Sequence, residues 1–358
     1  MDLTEEKERI SESYACTNCG AALKYKPGTD TLICNYCGGV NKIKPSDSIL
    51  IEELDFKSYM ESLGKEDIAV EKVIECKNCG ASSCVQGNIK SLFCPNCSSP
   101  LIESDIHEER LIRPAALLPF TIGDKEVYKI LSKWVGDLWF APNNLSKAAL
   151  SPIGLQGVYI PYWTYDAQSV SDYSGERGVD YTVTVGSGEN KREETRTRWS
   201  SVSGTLDSYF DDIMVPASGN ISGATLYQLE PWDKEKLISI SNEYLSGFIT
   251  EKYMINLEQG FKNAKSIMGE RIRIKIGYQI GGDRQRIHEV TSQYSDITFK
   301  HILVPIYTSS YLYNNKRYHF YVNGRNGKLI GDRPYSTTKI VLLVVFIFIV
   351  FALIAYFF

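Results

Sequence analysis

Residues 16–21 read CTNCGA, and residues 76–81, sixty positions further on, read CKNCGA. Each is followed by a second C-x2-C: CNYCGG at 34–39 and CPNCSS at 94–99. In both quartets fourteen residues separate the two pairs, so one small unit is duplicated. A C-x2-C turn presents two thiolates to one metal, and two such turns joined by a short hairpin complete a tetrahedral S4 site. The expected ligands are Cys16, Cys19, Cys34 and Cys37 in the first unit, and Cys76, Cys79, Cys94 and Cys97 in the second. Strand-like text at 22–25 and 31–33, and again at 85–89 and 91–93, supplies the hairpins. A unit of about 25 residues is too small to fold on burial alone, so metal binding supplies the folding energy. The expectation is two structural Zn²⁺ sites, each closed by four thiolates with no open position. Redox-active C-x2-C pairs would call for a βαβ context that is missing, and the paired ribbon spacing favours zinc over an iron–sulfur centre. Cys84 breaks the repeat, standing where the first unit has Lys24. It reads as a small strand residue, with a spare metal ligand as the alternative.

Outward from the quartets, all nine cysteines lie before residue 98 of the 358. A disulfide-stapled secreted fold would spread them more widely. Residues 1–12 are charged and hold no apolar core, so no secretory signal is read there, and a reducing compartment is expected. Net charge is −4, and residues 1–105 hold 17 Asp/Glu against 11 Lys/Arg. A ribbon surface that grips phosphate should carry the opposite sign, which argues against nucleic acid as a partner.

Residues 340–358, IVLLVVFIFIVFALIAYFF, contain no charge, glycine or proline. At about 1.5 Å per residue a helix of this length spans about 28 Å, close to a bilayer core. It reads as a transmembrane tail anchor in the lipid bilayer. Lys339 and Arg333 on its leading side mark that side as cytoplasmic.

Between ribbons and anchor, 44–47 carries a turn signal and 48–63 a short helical mixture. Residues 122–140 have helical spacing, with Asp124 as a cap and Pro142 beyond the end. Strand text begins at 158–165 (VYIPYWTY), followed by a shaped turn at 173–178 (YSGERG), a strand at 179–185, a hairpin loop at 186–190 and a strand at 195–209. Residues 256–280 are helical, although their later part (RIRIKIGYQI) alternates with period two and suits a strand as well. Segments 286–299, 302–313, 317–323 and 328–331 read as antiparallel strands, with hairpin signals at Asn314-Asn315, Asn323-Gly324 and Asn326-Gly327.

No metalloprotease, P-loop or nucleophile-elbow motif is present. His107, His288, His301 and His319 stand at no ligand spacing. Glu176 and Arg177 between two glycines, and Asp166 after an aromatic strand, are the remaining polar candidates, each with a local structural role as the plainer reading. No set of residues supports a reaction, and the chain is not expected to be an enzyme.

The paired ribbons of the TFIIB type, GVYIPYWTYD at 157–166, YSGERG at 173–178, the long YHFYVNGRNGKLIGDRPYS at 318–336 and the terminal apolar run together resemble the YdjG-like zinc-ribbon membrane proteins of bacteria. The resemblance covers essentially the whole chain. It implies a recruiter at the membrane, with PspA-like or flotillin-like (SPFH) membrane-stress proteins as partners. Only the eight ribbon cysteines carry over as site residues.

The expected architecture is therefore small β zinc ribbons, then an α+β domain with a twisted antiparallel sheet, then a C-terminal transmembrane helix. The expected boundaries are ribbon one at 12–44, a connector at 45–71, ribbon two at 72–104, the α+β domain at 114–335 and the span at 340–358. The expected role is a single-pass cell-membrane adaptor with cytoplasmic N-terminal domains that docks partner proteins, in envelope stress. The alternative is a membrane-tethered nucleic-acid-binding factor.

Overall fold

Three long strands, Ile153–Val185, Arg192–Pro216 and Arg284–Tyr313, form the frame of the computed structural model. It describes residues 14–43, 51–62, 68–85, 92–97, 99–149 and 153–357. The turn expected at 44–47, the start of the helical mixture at 48–50, its last residue at 63 and the second hairpin's centre at 86–91 lie outside the described residues. The first long strand is central. It pairs antiparallel with the second from Tyr162↔Pro216 to Val185↔Arg192, and with the third from Ile153↔Ser310 to Gly178↔Arg284. Strand Lys316–Asn323 returns beside the third, across Asn314 and Asn315, whose φ values of 48° and 60° suit a two-residue hairpin turn. Strand Leu329–Gly331 follows it.

The aromatic run explains why the base of this sheet is the core. Val158, Ile160 and Tyr162 face one side and Tyr159, Trp163 and Tyr165 the other, and all six are buried. On the first side they pack with Ile302, Val304 and the helix Gly223–Leu229. On the second side Tyr159 joins Phe120, Tyr307 and the helix Asp124–Gly136. That helix starts at Gly123 without a side-chain cap; Asp124 lies inside it, its carboxylate in the first turn where the helix dipole favours it.

Beyond residue 165 the three strands continue outward as an arm. The helix Leu257–Ile280 covers one face, with Phe261, Ala264, Met268, Ile272, Ile276 and Ile280 buried against Tyr173 and Phe210. Asn256 caps it, accepting from the Gln259 N–H at 2.8 Å. Its alternating end is helical because Ile272, Ile276 and Ile280 recur every four residues. Each buried isoleucine contributes about 1.5–3 kcal/mol. On the arm's other face Gln168, Val170 and Asp172 are exposed.

The turn expected at 173–178 is strand instead. Pairing with the third strand shifts register between Ser174 and Gly175. A Cβ at Gly175 would stand 2.3 Å from the Arg286 carbonyl oxygen, so the glycine serves close backbone approach rather than a turn. The separate strands expected at 286–299 and 302–313 are likewise one, Arg284–Tyr313.

The described body is thus sheet-rich α+β, with a small antiparallel three-stranded sheet at the first quartet (Leu23–Tyr25, Thr31–Cys34, Val40–Lys42) and the helix Thr337–Phe357 at the end. The second quartet is tied to the main sheet: Ser82–Cys84 pairs with Ile249–Glu251, which pairs in parallel with Val158 and Tyr159. Leu54 and Asp55 pair with the third long strand, and Phe56 and Tyr59 of helix Phe56–Ser62 pack beneath the arm helix.

Candidate metal centres

Each quartet is built from two copies of one turn. In all four turns the N–H of the first cysteine donates to the carbonyl five residues on, at 2.8 Å: Cys16 to Ala21, Cys34 to Gly39, Cys76 to Ala81 and Cys94 to Ser99. In three of them the residue after the second cysteine closes back on the first carbonyl. Gly20, Gly38 and Gly80 do this with φ near +75°, a backbone that favours glycine. The fourth has Ser98 there, outside the described residues. The first cysteine of every turn is buried, while Cys19, Cys37 and Cys79 are exposed and Cys97 is half-buried.

The eight sulfurs fall into two groups, each with all four atoms within 4.8 Å of one another. Cys16 and Cys37 lie 3.5 Å apart, Cys19 and Cys34 3.6 Å, Cys76 and Cys97 3.5 Å, and Cys79 and Cys94 3.5 Å. A disulfide would need about 2.05 Å. A tetrahedral ion with metal–sulfur bonds of about 2.3 Å sets edges of about 3.8 Å, so the residues present fit such an ion.

Electrostatics agree. Without a metal, the N–H groups of Cys37 and Tyr36 bring the Cys34 thiol down to about 7. Burial would raise Cys97, but hydrogen bonding with Ser99 and Asn78 outweighs it and brings that thiol down to about 6. Cys19 goes the other way: the Ala21 N–H favours its thiolate, yet the sulfurs of Cys37, Cys34 and Cys16, with burial, push it up to about 12. Neighbouring thiolates repel, and a bound cation removes that penalty.

Both centres are attached to the body. Cys16, Leu23, Tyr25, Leu32 and Cys34 of the first belong to the same buried cluster as Phe120 and Tyr159. The second keeps a small cluster of its own around Cys76, Ala81 and Cys94, and Arg317 donates to the Cys97 carbonyl. Cys84 lies in a strand that pairs with Thr250, and burial raises its thiol to about 12, against a ligating thiolate there.

The other polar candidates are dispersed. Glu176 stands 3.3 Å from Arg286 and 3.7 Å from His288, all on the arm, where the His288 and Arg286 side chains are exposed rather than set in a cleft. Asp166 belongs to a group invisible in the sequence, with Glu53 and Asp212. The cation of that group is the chain's own: Lys300 Nζ lies 2.8 Å from Glu53 and 2.8 Å from Asp212.

Two four-cysteine centres, a sheet-rich α+β body and one helix long and apolar enough to cross a membrane define the class of molecule. Within it the chain is similar to a protein of Bacillus subtilis (strain 168) described as uncharacterized protein YdjG, at 27% identity over 232 residues. The match spans 64% of this chain and 66% of that one, just under two thirds of the relative's length. No protein-family model and no solved structure matches the chain.

Proposed function

We propose that the chain is a membrane-anchored adaptor, its two centres holding structural Zn²⁺, that docks cytoplasmic partner proteins at the membrane and catalyses no reaction itself. One conjunction carries the reading. Each four-cysteine centre is closed by its four thiolates and fastened to the body, and the 21-residue helix Thr337–Phe357 has no buried residue, touching the body at its first turn through Lys339. Closed thiolate sites stabilise folds and leave no position for a substrate. An apolar helix with no protein partner finds its solvent in lipid.

Several features support docking. Tyr36 and Val40, beside the exposed thiolates of the first centre, present 86% and 58% of their surface to solvent. Exposed aromatic and aliphatic side chains of this kind anchor protein interfaces. Lys339 and Arg333 on the leading side of the helix favour a cytoplasmic body, which also suits free thiols. The YdjG-like resemblance supports PspA-like or SPFH/flotillin-like membrane-stress proteins as the partners, and envelope stress as the setting in which the adaptor acts.

Affinity purification from detergent-solubilised membranes, with and without envelope stress, tests the role. Co-purification of such a partner, lost with Tyr36→Ala, is expected. Recovery of no membrane-stress protein in either condition would overturn the role and leave the metal centres unaffected.

A further inference from the structure

A cavity of about 240 Å³ opens where the hairpin of the second metal centre meets the body. Its interior is apolar: Leu111, Leu245 and Leu303, each buried, belong to its wall. Drug-sized pockets run from about 300 to 1,000 Å³, so this one suits a molecule of amino-acid size.

The charged residues Glu71, Arg113, Glu251 and Lys252 join the leucines in the wall. Two of them are committed elsewhere. Glu251 accepts from Ser218 at 2.6 Å and from Asn220 at 2.9 Å, and Lys252 is held by Glu109 at 2.6 Å. The side chains of Glu71 and Arg113 make no hydrogen bond or close ion pair among the described residues.

Strand pairing explains why these two do not simply neutralise each other. Glu71, on strand Ile68–Glu75, stands opposite Glu109, and Arg113 follows Ile112, the last residue of the neighbouring strand. The backbone from Glu109 to Arg113 covers about 13 Å. The two long side chains span part of that distance. The guanidinium lowers a Glu71 carboxyl that burial raises, so the charges act on each other across a gap. Burial, then the Glu71 carboxylate, raises the thiol of Cys84, another residue of the wall, so the carboxylate bears on the cavity itself. Arg113 is exposed and Glu71 half-buried, which sets the cation at the mouth and the carboxylate further in. A half-buried carboxylate without a close cation is costly, and a guanidinium grips a carboxylate with paired N–H donors. A ligand that brings one charge of each sign satisfies both.

We infer that this cavity binds a free amino acid with an apolar side chain, its ammonium on the Glu71 carboxylate, its carboxylate on the Arg113 guanidinium and its side chain among the three leucines. Selectivity follows at each end: an analogue that lacks either charged group leaves one wall residue unpaired and loses affinity.

L-Leucine, isocaproate and isoamylamine share one branched chain; the second lacks the ammonium and the third the carboxylate. Binding of each to the full chain in lipid nanodiscs is measured by equilibrium dialysis, with empty nanodiscs as the blank. Leucine is expected to bind saturably and about tenfold more tightly than either analogue. Two variants should divide that preference. In Glu71→Gln leucine should fall to the affinity of isocaproate and keep its advantage over isoamylamine. In Arg113→Gln it should fall to the affinity of isoamylamine and keep its advantage over isocaproate. No saturable binding of leucine by the unmodified chain overturns the inference. Equal affinity for leucine and either analogue overturns it as well, since one charged end would then go unrecognised.

Discussion

The hydroxyl of Tyr25, on the hairpin of the first metal centre, donates to the backbone carbonyl of Phe120 in the body at 3.2 Å. The Gly28 N–H reaches the same carbonyl at 2.9 Å, and the Tyr25 N–H donates to Ser246 at 2.9 Å. Burial holds the phenol well above its ordinary pKa, so it stays a donor at all ordinary pH values. The centre's hairpin is therefore part of the body's core. Removing its metal should loosen both sides of the contact.

Metal analysis of the purified chain should give about two zinc ions per chain. After chelation, hydrogen exchange should accelerate at Tyr25 and Gly28, whose N–H groups donate to the body carbonyls of Ser246 and Phe120. Unchanged protection at both amides would show that the hairpin stays docked without its ion. Thiolates bind the metal by releasing protons, so metal should leave as pH falls, and more chelator should be needed as it rises.

Two glycines predict opposite outcomes. Alanine at Gly175 meets the Arg286 carbonyl at 2.3 Å and the Ile280 side chain at 3.0 Å, and should cost about 1–3 kcal/mol in urea unfolding. Gly269 lies inside the helix Leu257–Ile280, with nothing within 4 Å of an added Cβ. Alanine there should stabilise by about 0.5–1 kcal/mol. Equal effects at the two sites would contradict the strand pairing at Gly175.

These positions also show how much the sequence could reveal. The quartets were legible because ligand spacing in a C-x2-C turn is local, and the terminal helix because its composition is uniform. The YdjG-like resemblance is read from the runs 157–166 and 318–336 over essentially the whole chain, and the comparison supports it in part, as a 27% identical relative over 64% of the chain. The arm was not legible. Gly175 and Gly178 punctuate the text as a turn does, and distant groups explain them: the Arg286 carbonyl, 2.3 Å from a carbon added at Gly175, and the Thr197 methyl and Trp199 ring, 2.8 Å and 2.9 Å from one added at Gly178. In RIRIKIGYQI the isoleucines fit periods of two and of four; exposure of Ile274 beside buried Ile272 and Ile276 decides for the helix. The carboxylates around Lys300 lie more than a hundred residues apart at their extremes, beyond any local pattern.

Lys300 gives the next prediction. Its side chain is 9% exposed and bridges Glu53 and Asp212. Lys300→Met leaves Glu53 without its countercharge and Asp212 with Lys234 alone, 3.8 Å away. The loss should be about 3 kcal/mol, the low end for a broken buried pair, because Glu53 is partly solvated. Thermal unfolding with and without the substitution measures it.

Asp166, beside that lysine, sets a pH dependence. Burial, then the Glu53 carboxyl, raise its pKa to about 6, above the unfolded value near 4. The folded state therefore takes up a proton first as pH falls, and stability from this group rises between about 7 and 4. Glu53, for which burial is outweighed by hydrogen bonds with Asp166, Lys300 and Thr298, is held down to about 2 and opposes this only below about 4.5. In Asp166→Asn the rise should disappear. Urea unfolding of both proteins from pH 7.5 to 5 checks it, and a constant difference between them would refute the assignment.

The junction before the terminal helix is a latch between the body and that helix. The Ser336 N–H donates to the Phe140 carbonyl at 2.7 Å, and Lys339 Nζ donates to the carbonyls of Trp139 at 3.1 Å and Ala141 at 2.8 Å. Past this point the helix Thr337–Phe357 has no buried residue. Deleting residues 337–358 should therefore leave the body's unfolding temperature within about 2 °C of the full chain's, since few contacts of the body are lost. The same deletion should move the protein from a carbonate-washed membrane pellet to the soluble fraction. In sealed right-side-out vesicles the full chain's body should resist added protease, and in inverted vesicles it should be digested. A truncated chain that stays in the pellet would mean that the body itself holds the membrane, and a large fall in unfolding temperature would mean that the helix packs on the body.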